Sequence, residues 1–322
     1  MEYIILLAGF LFLIKGADCF VDGASSIAKS LRVPTLIIGL TIVAFGTSAP
    51  ELAVSVTSAL DGRNAIAIGN VVGSNIFNIL MVVGASAAIL PLHVKTTIFI
   101  KELPFTLLAS ITLLVLGLDY VLGDVIAVSE EYSGYIDRVD GIILLFFFGI
   151  FLYYLVDTAL VARKNHKEDD EIKTMPMKKS VLLSLLGVVG IVLGGQMVVD
   201  SASEIAIAWG MSEGVVGLTI VAIGTSLPEF VTSVVAATKG QSDLALGNVI
   251  GSNIFNIYLI LGVSTIINPI PVNADLIIDM VIMIITVIAT FFFALTNRQI
   301  SRTEGSIFCV SYFVYMAYIL IR

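Results

Sequence analysis

GLTIVAFGTSAPE, running from Gly39 to Glu51, returns as GLTIVAIGTSLPE from Gly217 to Glu229, 178 residues later. A second stretch keeps that offset, with GNVVGSNIFNI at 69–79 and GNVIGSNIFNI at 247–257. The pairs Asp22 with Asp200 and Pro91 with Pro269 keep it too. Each copy sets one glutamate inside an apolar segment, where a charge is expensive. The chain is therefore one unit used twice.

The class follows from composition. Hydrophobic residues make up 58% of the 322 positions and charged ones 13%, with a mean hydropathy of +1.03. That is far too apolar for an ordinary soluble domain. A helical span needs roughly 20 mainly apolar residues. Ten such runs can be read, near 3–29, 34–60, 65–89, 97–118, 139–162, 180–208, 213–238, 243–267, 275–296 and 305–321. They are continuous and do not alternate every second residue, so they predict helices and not a transmembrane barrel. The first run has no basic start and no small-residue cleavage site, and reads as a retained span.

The net charge of −8 comes without a basic stripe or interleaved aromatics, which argues against a nucleic-acid partner. Cys19 and Cys309 lie in apolar spans and read as small core residues, with no disulfide framework or zinc site. No paired catalytic aspartates, serine-histidine pair or HExxH sequence is present, so the chain does not read as an enzyme and no cofactor is expected.

Orientation comes from the basic residues. Thirteen of the 17 Lys and Arg fall on the face shared by loops 1-2, 3-4, 5-6, 7-8 and 9-10, whereas Arg63, Arg138 and Arg322 lie opposite. The positive-inside rule makes the thirteen cytoplasmic and both termini extracellular. Five spans per copy is an odd number, so the second copy enters the membrane from the other side. The expected fold is an all-α integral membrane protein of ten helices in two inverted five-helix repeats, 1–162 and 180–322. A hydrophilic cytoplasmic linker at 163–179 joins them. The tails agree, since IDRVDGII at Ile136 is echoed by ISRTEGSI at Ile300, 164 residues on. The shortfall falls in the acidic external stretch 119–140. Inverted repeats with interrupted helices are the pattern of secondary transporters, which bind at the midplane between the repeats.

The GTSxPE segments carry the chemistry. Pro50 has no amide hydrogen and crowds the carbonyl of Gly46, so helices 2 and 7 are expected to be broken. A bent backbone there frees carbonyls of Ala44, Gly46 or Thr47, which a membrane tolerates only beside a cavity or an ion. Thr47, Ser48 and Ser55 share a helical face with Glu51, as Thr225, Ser226 and Ser233 do with Glu229. Ser74 and Asn78 stand four apart, repeated by Ser252 and Asn256. Gly69 with Gly73, and Gly247 with Gly251, make small-residue faces for close helix approach. Carboxylates, amides, hydroxyls and carbonyls form an all-oxygen set suited to hard cations such as calcium or sodium. Two glutamates balance one divalent ion, whereas an empty charged pair would cost at least several kcal/mol.

Other polar residues read more simply. Asp22 and Asp200 are expected to cap helices or hydrogen-bond between them. Lys101 with Glu102 and Lys15 with Asp18 are expected to snorkel to the interface. His93 and His166 sit in connections as solvated imidazoles.

The paired GTSxPE and GNxxGSNIFNI motifs resemble the two alpha-repeats of the cation/calcium exchanger superfamily, in its prokaryotic sodium/calcium exchanger branch, over essentially the whole chain. The resemblance implies a core of spans 2, 3, 7 and 8 with two long gating helices, 1 and 6, and calcium exchanged for sodium by alternating access. Carried over by position, it implies calcium contacts at the Glu51 and Glu229 side chains and the Thr47 and Thr225 backbone oxygens. Sodium contacts fall at the hydroxyls of Ser48, Ser74, Ser226 and Ser252 and the backbone oxygens of Ala44 and Ala222, with Asn78 and Asn256 as the central polar pair. Some members, potassium-dependent exchangers among them, have aspartate at the place of Asn256. Asparagine here argues against potassium dependence. The alternatives weighed are a proton/calcium antiporter of the same fold and a cation channel. One chain holds everything one transport path needs, so a monomer in the lipid bilayer is the expected working unit.

Overall fold

The computed structural model describes residues 2–119, 134–164, 175–210, 222–295 and 298–321. Within them the chain is almost entirely helical. The helices are α1 (Glu2–Leu31), α2 (Thr35–Thr47), α3 (Ala49–Leu60), α4 (Ala65–Ile89), α5 (Ile98–Gly117), α6 (Arg138–Lys164), α7 (Met177–Ala208), α8 (Ala222–Thr225), α9 (Leu227–Thr238), α10 (Ser242–Ile267), α11 (Ala274–Leu295) and α12 (Arg302–Ile321). Eight are long and apolar enough to cross a membrane, and the bent pair α2 and α3 makes nine when taken as one span. Of the expected span 213–238, residues 213–221 lie outside the described residues, as do His166, most of the linker and the middle of the acidic stretch 119–140.

Burial separates an inner pair from an outer ring. The apolar windows of α4 and α10 are 72% and 78% buried, against 22% for α6 and α12. The two inner helices carry the GSNIFNI motifs. Outer helices turn Leu, Ile and Phe outward, as at Phe146, Val310 and Phe313. Lipid is as apolar as those side chains, so contact between helices must come from small residues and polar groups.

The longest contact joins α1 and α7, of 30 and 32 residues. At 1.5 Å per residue each is about 45 Å long, more than the roughly 30 Å hydrocarbon core, so each is long enough to span it with room to tilt. Glycines set their separation. A methyl group on Gly16 would lie 2.7 Å from the Ile191 nitrogen and 2.9 Å from the Gly187 oxygen, and one on Gly187 would lie 2.6 Å from the Phe20 nitrogen.

The two halves interleave. Gly84 of α4 meets Gly305 of α12, and Gly262 of α10 meets Gly141 of α6, so the last helix of each half packs on the inner helix of the other. Short strands repeat the exchange. β1 (Leu92–His93) pairs antiparallel with β4 (Gln299–Ile300), Leu92 opposite Ile300. β2 (Gly134–Ile136) pairs with β3 (Ile270–Val272), Ile136 opposite Ile270. His93 is exposed in β1, in keeping with a solvated imidazole.

One sequence expectation needs correcting, that of Glu102. The Asp18 carboxylate lies 2.6 Å from Lys239 Nζ, which also reaches Asp22 at 2.6 Å. These contacts form because α9 ends beside α1, and Asp22 thereby makes its expected interhelical contact. Glu102 does not snorkel but is buried, accepting a hydrogen bond from Tyr154 Oη at 2.6 Å. The π-helical start of α5, Ile98–Glu102, turns it inward while Lys101 stays outside over the Tyr154 ring. Gly247 and Gly251 make the expected close approach, packing on Leu36, Gly39, Leu40 and Ala44, whereas residues 214–218, the second copy's equivalents of 36–40, lie outside the described residues.

Replacing glycine by alanine in a helix gains about 0.5–1 kcal/mol of backbone entropy. Gly149→Ala, with nothing within 4 Å, is expected to keep that gain, whereas Gly16→Ala must force α1 from α7 at about 1–3 kcal/mol. Thermal unfolding in detergent should show the first variant at or above the parent and the second below it; equal melting points would mean the seam is not tight.

Candidate functional site

Each glutamate sits where one helix stops and another starts. Ser48, at φ −82° and ψ 8°, lies between α2 and α3, whose axes meet at 49°. Pro50 falls in the first turn of α3, where its missing amide hydrogen costs nothing, and Glu51 follows in that turn. Ser226, at φ −91° and ψ 6°, separates α8 from α9, with Pro228 and Glu229 placed the same way. The proline thus opens a new helix, and amides at the helix start favour the carboxylate.

Both glutamates are fully buried, as are Thr47, Asn78, Ser226, Asn248, Ser252 and Asn256. The contacts cross between the copies. Ser48 Oγ donates to Glu229 Oε1 at 2.8 Å and lies 3.0 Å from Ser252 Oγ. Ser226 Oγ donates to Glu51 Oε1 at 3.0 Å and lies 3.0 Å from Ser74 Oγ. Ser252 Oγ reaches Glu229 Oε1 at 3.3 Å. Asn78 donates to Asn253 Oδ1 at 3.1 Å and Asn256 to Asn75 Oδ1 at 3.0 Å.

The Ala44 carbonyl accepts the Ser48 amide at 3.0 Å and has Thr47 Oγ1 at 3.3 Å. In the second copy the Ser226 amide donates to the Ile223 carbonyl, three residues back, at 3.1 Å. Ala222 opens α8, one turn before Ser226. Thr47 and Thr225 are held by their side chains, on Asn248 Oδ1 at 3.0 Å and Asn70 Oδ1 at 3.3 Å.

Asn70 and Asn248 were not among the expected site residues. Asn70 Nδ2 donates to the Glu51 carbonyl at 3.3 Å and Ser55 Oγ at 3.0 Å. Asn248 Nδ2 donates to the Glu229 carbonyl at 3.4 Å and Ser233 Oγ at 2.9 Å. Each amide thus clamps one glutamate's backbone and one threonine of the opposite copy. Their signal was in plain view, since both stand in the repeated GN dipeptide at the common offset.

Four oxygens of this site have no hydrogen-bond partner among the described residues: Glu51 Oε2, Glu229 Oε2, Asn78 Oδ1 and Asn256 Oδ1. Each can only accept when the carboxyls are ionised. Leaving one such group unsatisfied costs about 1–3 kcal/mol, and more when charged. No described lysine or arginine pairs with either glutamate. A hard cation fits this set, because oxygen ligands and two negative charges are what it takes. Beside the break lies a cavity of about 380 Å³, lined by Pro50, Gln196, Asp200, Thr225 and Pro228 among others. Asp200 is exposed along it instead of capping a helix.

An all-helical, multi-pass membrane protein with a buried all-oxygen pocket belongs in class with the ion transporters. The chain is a member of the sodium/calcium exchanger protein family, whose sequence model matches residues 1–156 and 179–321. It is 39% identical to CaxA of Alkalimonas amylolytica over 97% of this chain and 96% of that one. It is 34% identical to the sodium/calcium exchanger MaX1 of Methanosarcina acetivorans, covering 99% of each. A solved structure of the sodium-calcium exchanger NCX_Mj superposes with a TM-score of 0.83 at 32% identity, over 98% of both chains.

The asparagine clamp has a measurable cost. Asn248→Ala removes both donors and the acceptor for Thr47, and is expected to destabilise the protein by about 1–3 kcal/mol. A denaturant midpoint equal to the parent's would show that the amide is dispensable to the fold.

Proposed function

We propose that this chain is a secondary antiporter that exchanges calcium for sodium, with both ions bound between two inverted five-span repeats. The observation that carries the reading is the set of four unpartnered, buried acceptor oxygens shared between the copies. Glu51 and Glu229 with the Asn78 and Asn256 carbonyls and the Thr47 and Thr225 backbone suit calcium. The hydroxyls of Ser48, Ser74, Ser226 and Ser252, with the Ala44 and Ala222 carbonyls, suit sodium. Calcium balances both carboxylates and leaves the centre neutral, whereas an empty centre carries two charges at a cost of several kcal/mol. A carrier of this kind reorients when loaded and resists reorienting when empty, which makes exchange obligatory.

The exchanged registers at β1 with β4 and β2 with β3 support inverted repeats, and so does the exchanged packing of α6 and α12. Alternating access finds support in a difference between the two ends of the site. On the α7 side, a cavity reaches Pro50 and Thr225 past Asp200. On the α1 side, Lys239 ties Asp18 and Asp22 to the end of α9, and Ser25 hydrogen-bonds Gln241. Asp22 is latched and Asp200 borders the cavity, and the copies differ here in sequence, since Asp61 and Arg63 stand where Lys239 and Gln241 do in the second copy. With termini outside and linker 163–179 inside, the open side is extracellular. A monomer suffices, since both half-sites come from one chain.

In proteoliposomes, an imposed sodium gradient is expected to drive calcium-45 uptake while potassium and proton gradients are not. Uptake that follows the proton gradient alone would overturn sodium coupling. Glu51→Gln and Glu229→Gln are each expected to abolish the flux in a protein that still elutes and melts as folded. Near-normal flux in either removes that carboxylate from the ion's coordination.

A further inference from the structure

Asn75 and Asn253 stand three residues before Asn78 and Asn256 in each GSNIFN motif, yet neither bonds its own neighbour. Asn253 Oδ1 accepts from Asn78 Nδ2 at 3.1 Å, and Asn75 Oδ1 accepts from Asn256 Nδ2 at 3.0 Å. All four side chains are at most 1% exposed. Asn75 Nδ2 is itself held, on the Asn253 carbonyl at 3.3 Å, with Met283 Sδ at 3.6 Å.

A primary amide has a donor end and an acceptor end, so fixing one end fixes the other. An oxygen of Asn253 can only accept, and therefore captures the Asn78 NH₂ and leaves its Oδ1 turned away. That oxygen is one of the four unpartnered atoms, as is Asn256 Oδ1 on the other side. Ser74 and Ser252 lie one turn earlier on the same faces and close onto the glutamate network. Turned the other way, each amide would present two N–H groups to a cation and repel it.

We propose that Asn75 and Asn253 are positioning residues that aim the Asn256 and Asn78 carbonyls at the cation, each acting on the ligand of the opposite repeat. This rests on the exchange function proposed above. Groups that orient a metal ligand typically contribute tenfold to hundredfold in affinity. The crossing also means that neither half presents a correctly aimed amide by itself.

The test is a set of double-mutant cycles on the detergent-purified full chain, with calcium as probe and equilibrium calcium-45 binding as readout. Asn253→Ala and Asn75→Ala are each expected to weaken binding about tenfold or more. Combined with Asn78→Ala, Asn253→Ala should add nothing further, and Asn75→Ala should add nothing to Asn256→Ala. The same-repeat pairs, Asn75 with Asn78 and Asn253 with Asn256, should be additive. Additive crossed pairs, or coupling confined to the same repeat, overturns the proposal. If an alanine variant does not fold, Asn253→Asp and Asn75→Asp keep an oxygen to accept the amide and are expected to bind calcium no more weakly than the parent. A tenfold loss in these variants also overturns it. Parent protein that neither binds nor exchanges calcium defeats the functional reading itself, whereas an active parent with the wrong coupling pattern defeats only the positioning.

Discussion

Glu51 and Glu229 are carboxylates enclosed by protein, with no bulk water to solvate them, and much of the surrounding architecture answers that problem. A helix start gives each a set of backbone amides, and the proline that follows the break lets the helix begin there without losing a hydrogen bond. A serine from the opposite copy donates to one oxygen of each. The second oxygen of each has no donor among the described residues, which is expensive for a buried carboxylate.

The same demand accounts for the inversion of hydrophobicity. In a soluble protein the polar residues face out and the apolar ones pack inside. Here α4 and α10 carry asparagines and serines at the centre, while the outer helices expose leucine, isoleucine and phenylalanine. Their mutual packing depends on glycine contacts such as Gly16 with Gly187 and Gly84 with Gly305, because lipid offers no hydrophobic penalty to drive helices together. Such contacts define separation without much side-chain interlocking.

The repeat is close in sequence but not identical at its edges. Lys239 latches Asp22, whereas Asp61 stands at the place of Lys239 in the first copy and Asp200, the equivalent of Asp22, borders a cavity. The two copies therefore differ in environment where their sequences differ.

Much of this was legible in the chain itself. Hydropathy marked the membrane spans, the 178-residue offset marked the two copies, and the glutamate after each GTSxP marked the buried charge, because each is a local property of composition or spacing. The serines and asparagines at i+4 spacing followed from helical periodicity. The sequence by itself could not say who faces whom. Lys239 finding Asp18, Tyr154 finding Glu102, and the Asn70 and Asn248 clamps depend on which helices adjoin and at what angle. So does the central crossing, in which each copy's glutamate and asparagine are oriented by the other copy's serine and asparagine. Hydrogen bonds of about 3 Å are decided by tertiary packing, and two copies of one motif look alike until the fold sets them against each other.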